Sequence, residues 1–204
     1  TAEAAARLKE LVPPYKLIFV GRLEAAKGVD TVLQIAAGLK KFASDFEVLL
    51  VGDGPQRGYY EKRAAAMRLQ EQVKFCGWEP RKKLDEYYAK AHFILLPSTA
   101  SEGWPKVLSE AMVFGVVVLA SNISSIPQIL EKIKAGITLD PQNPDAYGNA
   151  ILDLLRNPGR WKEFSQAGMA AAQFFTYTHY TGKLTSLMRD SWGITPEGSK
   201  APGT

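Results

Sequence analysis

A chain of 204 residues that is 46% hydrophobic and 23% charged has room for one well-buried domain and is short for two. Its net charge of +4 is spread thinly, with the densest knot at Arg81-Lys82-Lys83, which argues against a nucleic-acid patch and weakly favours an anionic ligand. A single cysteine, Cys76, excludes an internal disulfide framework, while two distant histidines, His92 and His179, give no zinc spacing.

No apolar run is long enough to span a bilayer, and the expectation is a cytoplasmic protein without a signal peptide. Thr1 to Val12 reads as a short helix stopped by Pro13-Pro14. The expectation there is a chain cut from a longer protein within an interdomain linker.

From Tyr15 onward apolar runs alternate with helical patterns. Leu17 to Val20 reads as a first strand ending at Gly21-Arg22. Val32, Leu33, Ala36, Leu39 and Phe42 then recur at helical spacing. Phe46 to Val51 is a second strand, closed by Gly52-Asp53-Gly54-Pro55, and a helix over Gln56 to Arg68 turns Tyr60, Ala64 and Met67 inward.

Val73 to Cys76 is a third strand, and Pro80 opens a helix with Leu84, Tyr87 and Tyr88 on one side. Phe93 to Leu96 is a fourth strand, followed by a loop and a helix over Lys106 to Phe114 that Gly115 ends as a left-handed cap. Val116 to Ala120 and Ile137 to Leu139 complete six strands. Asn143-Pro144 and Asn157-Pro158 cap two further helices, and a last amphipathic segment carries Tyr180, Leu184, Leu187 and Met188. The tail from Gly193 is expected to be mobile.

Strands that are apolar throughout and separated by helices predict a parallel sheet covered on both faces. Such sheets bind ligands beyond the carboxyl ends of their strands. Those ends here carry Gly21-Arg22, Gly52-Asp53-Gly54, Gly77-Trp78 and Ser98–Glu102.

Within the last of these, Glu102 and Glu110 lie eight residues apart. Spacing alone does not single them out, because Glu71 and Glu79 repeat it. Context favours the first pair. Glu102 sits in a loop, and Pro105 takes a first-turn position that puts Glu110 inside the helix. At about 1.5 Å rise per helical residue the carboxylates would lie roughly 10 Å apart. That separation suits opposite ends of one ligand; a surface acid beside an ordinary helix glutamate is the alternative.

Gly21 permits a tight strand exit, after which Arg22 and Lys27 can converge on one anion. Two solvated loop cations would look the same in sequence. Gly52-Asp53-Gly54 lacks the third glycine of a dinucleotide fingerprint, since position 57 is Arg57. A structural turn is the better reading. There is no D-x-D pair and no Ser/His/Asp set, Cys76 reads as a small apolar residue, and His92 as the start of a strand.

In order along the chain stand FVGRLEAAKGVD, LLVGDGPQR, VKFCGW, ILLPS, SEGWPKVLSEAM, GVVVLAS and GITLDPQNPDA. Together, over about Leu17 to Met188, they resemble the donor-binding, C-terminal domain of retaining GT-B glycosyltransferases of the glycosyl transferases group 1 family. The resemblance implies an α/β fold, a three-layer Rossmann-like domain with a six-stranded parallel sheet that is one half of a GT-B fold. It divides the chain into a linker with an N-terminal helix (1–14), a nucleotide-sugar-binding domain (15–192) and a flexible tail (193–204).

The implied activity is transfer of a hexosyl group from a nucleotide-diphosphate sugar to an acceptor. Catalytic roles fall to Glu102, Arg22 and Lys27. Arg22 and Lys27 would hold the diphosphate beside Gly21, with amides near Lys106 and Val107 helping. Glu110 would bond the ribose hydroxyls, and Glu102, next to Gly103 and Trp104, those of the donor sugar. Trp78, Glu79 and Arg81 would border the base.

No cofactor and no metal are expected. The expected partners are the nucleotide-diphosphate sugar, a missing N-terminal acceptor domain of the same chain and, for the full-length protein, a membrane surface contacted peripherally; nucleic acid is not one. This isolated chain is expected to transfer little sugar.

Two departures from the family pattern stand out. Pro105 occupies a usual glycine position, and Ser124-Ser125 with Gln128 replace a glycine pair and an acid. A sugar-nucleotide epimerase of the same architecture, a dinucleotide oxidoreductase and a non-catalytic nucleotide-sugar-binding module are the rival readings.

Overall fold

The computed structural model describes residues 9–42, 45–101 and 103–192. Six strands, β1 (Tyr15–Val20), β2 (Phe46–Val51), β3 (Val73–Gly77), β4 (Phe93–Leu96), β5 (Val117–Ser121) and β6 (Gly136–Leu139), form one parallel sheet. Their order is β3-β2-β1-β4-β5-β6. The chain winds outward from β1 in one direction, then returns to β4 on its other side. The ends of β1 and β4 therefore flank the point where strand order reverses, the place where open parallel sheets leave a crevice.

Side chains alternate across the sheet with a period of two. Leu17 and Phe19 of β1 face one apolar layer and Ile18 the other. The first layer is closed by α1 (Val29–Leu39), α2 (Arg57–Ala66) and α6 (Pro144–Arg156), through residues such as Val32, Tyr60 and Tyr147. The second is closed by α3 (Arg81–Lys90), α4 (Lys106–Val113) and α5 (Ile126–Ile133), through Tyr88, Met112 and Leu130. Full burial of each Leu, Ile or Val contributes about 1.5–3 kcal/mol. The three central strands, buried on both faces, supply a large part of that term. The helices α7 (Pro158–Ala172) and α8 (Tyr177–Trp192) follow. No helix among the described residues is long and apolar enough to cross a membrane.

The three-layer α/β architecture and all six strands match the sequence expectation to within two residues at each end. Several local details differ. The helix α5 lies between β5 and β6 where no helix was expected; it is eight residues long and opens with a proline in its first turn. Pro80 and Pro105 stand one step before their helices in extended conformation, at φ −68°, ψ 156° and φ −67°, ψ 123°. The ring fixes only φ, and both the cap and the first helical position accept that value. Phe42 is 72% exposed because α1 stops at Leu39. Asn143 accepts from the Ala146 amide as a cap should, whereas the Asn157 side chain turns back to donate to Asp153.

Residues 9–12 are not helical, contrary to the last part of the expected N-terminal helix; residues 1–8 and the tail from Gly193 lie outside the described residues. The incoming segment is tied down by long-range bonds instead. The Lys9 ammonium donates to the carbonyls of Tyr88 (2.5 Å) and Ala91 (2.6 Å) at the end of α3. There it meets the partial negative charge of a helix C-terminus. Burial lowers the pKa of Lys9 to about 7.

His92, expected only to begin a strand, is a structural junction. Its Nδ1 accepts from the Lys16 amide at 2.9 Å, and Nε2 lies 3.2 Å from the Glu10 carbonyl. An acceptor at one nitrogen and a donor at the other define the neutral Nε2–H tautomer. Desolvation, with the Lys9 charge beside it, pushes the pKa of His92 down to about 4 from 6.5. A depressed folded-state pKa means that the unfolded chain binds the proton more readily. The stability contribution is therefore complete above about pH 6.5 and is lost as pH falls toward 4. The loss is of the order of 3 kcal/mol. Urea denaturation between pH 4 and 7 should show this decline in the wild type and a much flatter profile in His92→Gln; an unchanged slope in the variant would refute the assignment.

Candidate functional site

The crevice is built by the loops that leave β1 and β4. After β1 the chain turns through Gly21 and Arg22 into a short 3-10 helix, Ala25–Lys27. The carbonyl of Ala26 then accepts from the Thr99 amide at 2.9 Å and the Ser98 hydroxyl at 3.0 Å. These bonds dock the loop that carries the two cations on the loop that leads to α4. Gly28 completes the join. It lies at φ +75°, and a Cβ there would stand 2.0 Å from the Pro97 carbonyl oxygen.

The β2 loop is fastened to the same structure. Leu23 donates to the Asp53 carbonyl at 3.0 Å, and Gln56 donates back to the Leu23 carbonyl at 3.2 Å. Gly52, at φ +133°, lets the strand end pass against the backbone of Gly21. Asp53 spends its carboxylate on the Gly54 amide (2.7 Å) and Arg57 (3.2 Å). The Gly52–Pro55 run is thus a structural turn, as its broken glycine pattern suggested.

Two clefts open on this rim. A smaller one, about 330 Å³, includes Gly21, Arg22, Gly52, Asp53, Trp78 and Glu79. A larger one, about 740 Å³, includes Arg81, Trp104, Lys106, Ser109, Glu110 and Phe175. The structure therefore gathers Gly21, Arg22, Trp78 and Glu79 on one side and Arg81, Trp104, Lys106 and Glu110 on the other.

Arg22 is exposed and lies 3.6 Å from Glu24, a contact of little energetic weight at the surface. Trp78 is 75% exposed. Glu79 accepts from the Tyr87 hydroxyl at 3.0 Å. Val107 packs toward the apolar layer under α4 and Gly103 is exposed. Glu102 lies outside the described residues.

Among the described residues, no side chain caps the start of helix α4. Its first amides, including those of Lys106 and Val107, have no acceptor within the helix. Trp104 is held over this end by stacking on Phe175, with ring centroids 4.9 Å apart and planes 18° from parallel. Its indole donates to the Ser109 hydroxyl at 2.5 Å. The Phe175 contact comes from a 3-10 turn after α7, Gln173–Phe175, and no sequence signal announced it.

On the next turn Glu110 receives Arg81 Nη1 on Oε1 at 2.5 Å, and the Tyr88 hydroxyl stands 3.5 Å from Oε2. The sequence put Arg81 at the border of the base with Trp78 and Glu79, and Tyr88 on one side of its helix with Leu84 and Tyr87. The structure draws both side chains toward Glu110, although Tyr88 is also fully buried. Burial, with the negative charge of Glu110, raises the pKa of the Tyr88 phenol, so it stays a neutral donor.

The departures at the fifth strand also have a form. Ser124 adopts a left-handed conformation at φ 54°, one that glycine takes at no cost. Its hydroxyl lies 2.9 Å from that of Ser101. This contact joins the β5 loop to the stretch before α4.

The chain matches the glycosyl transferases group 1 family over residues 2–171 and belongs to it. It is 30% identical over 146 residues to the amylovoran biosynthesis glycosyltransferase AmsK of Erwinia amylovora, covering 69% of this chain and 36% of the relative. It is 30% identical over 152 residues to 2-deoxystreptamine N-acetyl-D-glucosaminyltransferase of Niallia circulans, covering 74% and 39%. The chain thus spans less than half the length of these curated relatives.

Among solved structures, sucrose-phosphate synthase of Thermosynechococcus elongatus superposes with a TM-score of 0.76 at 26% identity, over 93% of this chain and 48% of the other. HepE of Anabaena in complex with UDP-glucose gives 0.75 at 20% identity, over 86% and 49%. The fold is the Rossmann-like α/β domain of GT-B glycosyltransferases.

The join of the two loops can be broken by one methyl group. Gly28→Ala should lower unfolding stability by about 2–4 kcal/mol, from the left-handed backbone and the collision with Pro97 combined. Urea denaturation would show it as a lower midpoint; a change below about 0.5 kcal/mol would mean that the loops are not locked at this point.

Proposed function

We propose that this chain is the donor-binding part of a retaining hexosyltransferase that uses a nucleotide-diphosphate sugar. One observation carries the reading. At the reversal of strand order, the loop bearing Arg22 and Lys27 is hydrogen-bonded through Ala26 to the loop that opens the Glu110 helix. Family membership and the UDP-glucose bound to HepE support it.

The chemistry follows from charge. Breaking the bond between the anomeric carbon and the diphosphate oxygen builds negative charge on the leaving phosphate. Arg22, Lys27 and the amides at the start of α4 are positive groups that can hold that charge as it grows. Lys106 adds a cation at the same helix end. Glu110 accepts ribose hydroxyls, and Glu102 takes the donor-sugar hydroxyls. Trp78 and Glu79, in the cleft beside Arg22, border the base.

Acceptor recognition is assigned to a second domain, in keeping with relatives more than twice as long as this chain. The chain alone should bind nucleotide diphosphate and transfer little sugar. Titration calorimetry with UDP, GDP and ADP, and with the corresponding nucleosides, tests the site. Arg22→Ala and Lys27→Ala should each weaken diphosphate binding by about tenfold or more and leave nucleoside binding nearly unchanged, while Glu110→Ala should weaken both. Unchanged affinities in all three variants would overturn the reading.

A further inference from the structure

We propose that Arg81 is a positioning residue for Glu110, holding its carboxylate in one orientation for the ribose hydroxyls while Asp85 holds Arg81. The inference rests on the role of Glu110 given above and deepens it. Its basis is a chain of contacts between two helices. Asp85 Oδ1 accepts from Arg81 Nε at 2.9 Å, and Arg81 Nη1 donates to Glu110 Oε1 at 2.5 Å. The guanidinium plane is thereby fixed by two carboxylates, one on its own helix α3 and one on α4.

Stability does not explain the arrangement. The Arg81 side chain is 57% exposed, and exposed ion pairs contribute little to folding. The two helices are already joined beneath it through the apolar layer that includes Tyr88, Leu108 and Met112. What the pair changes is the freedom of Glu110. Without a charged partner, a glutamate side chain on a helix can sample several staggered rotamers, and a ligand that needs one of them must freeze the rest. A charge-assisted bond at 2.5 Å does this before the ligand arrives.

Acceptor capacity remains after the bond is made. An ionised carboxylate offers about four lone-pair sites, of which Arg81 takes one. The Tyr88 hydroxyl, 3.5 Å from Oε2, sits at the outer limit of a hydrogen bond and carries no charge, so it adds little orientation beside Arg81. Two neighbouring ribose hydroxyls can therefore donate to Glu110 while the Arg81 bond persists. Arg81 acts on ribose recognition through Glu110.

The readout is discrimination between ribose and 2′-deoxyribose, which a general loss of stability would not alter. Calorimetric affinities are compared for UDP with 2′-deoxy-UDP, GDP with 2′-deoxy-GDP and ADP with 2′-deoxy-ADP. For whichever base binds, the wild type should prefer the ribose form by about tenfold. Glu110→Ala should abolish the preference. Arg81→Ala should reduce it to about threefold or less, with an unfolding midpoint close to wild type. Adding Arg81→Ala to Glu110→Ala should cost no further affinity for the ribose form.

A wild type with no preference, or a Glu110→Ala variant that keeps it, would overturn the assignment of Glu110 itself. An Arg81→Ala variant that keeps the full preference, while Glu110→Ala loses it, would overturn only the positioning role. A further loss in the double variant would overturn that role as well, by showing that Arg81 meets the ligand directly.

Discussion

The carbonyl oxygen of Ala26 is where this molecule is drawn together for function. It accepts from the backbone and a side chain of the loop after β4, and by doing so it brings a cation-bearing turn to the start of helix α4. The two loops leave adjacent strands whose outward continuations run in opposite directions across the sheet. Nothing in the sheet itself covers the gap between them. The join therefore depends on local chemistry: a hydroxyl at Ser98, an amide at Thr99, and a residue without a side chain at Gly28. Each is small, and each is required because two backbones approach within hydrogen-bonding distance.

Around that join the molecule divides its labour. The central strands are buried on both faces, and two apolar layers hold them at fixed register. The rim carries exposed cations, a Trp104 stacked on Phe175 and a Glu110 paired with Arg81. Rigidity below gives precision above. This rim can be open to water because the positions of its loops are set beneath it by glycine contacts, backbone bonds and the buried Leu23. At the opposite end of β4, His92 and Lys9 fasten the incoming segment to the sheet. Tyr88 spans both ends: its carbonyl receives Lys9 while its hydroxyl faces Glu110.

Much of this was legible in one dimension. Strands such as Phe93-Ile94-Leu95-Leu96 are apolar at every position, which only a sheet covered on both sides requires. Glycines or a proline after the first four runs marked the rim. Helix α5 is as short as α4 and lacks a preceding glycine or proline stop, although Ile126, Ile129, Leu130 and Ile133 recur at helical spacing. Phe42 misled because periodic spacing continued past the point where the helix stopped. His92 looked inert because its partners, Lys16 and Glu10, are about 80 residues away in sequence.

Local pattern alone determined the layered α/β class, the strand boundaries and the rim on which charged and small residues collect, since these follow from nearest-neighbour sterics and the burial of apolar faces. Tertiary structure alone decided that Arg81 meets Glu110, that Phe175 stacks on Trp104, and that Ala26 serves as the docking point. Those are contacts between segments distant in the chain. Their existence depends on how helices and strands are placed against one another, a geometry that no short-range periodicity encodes.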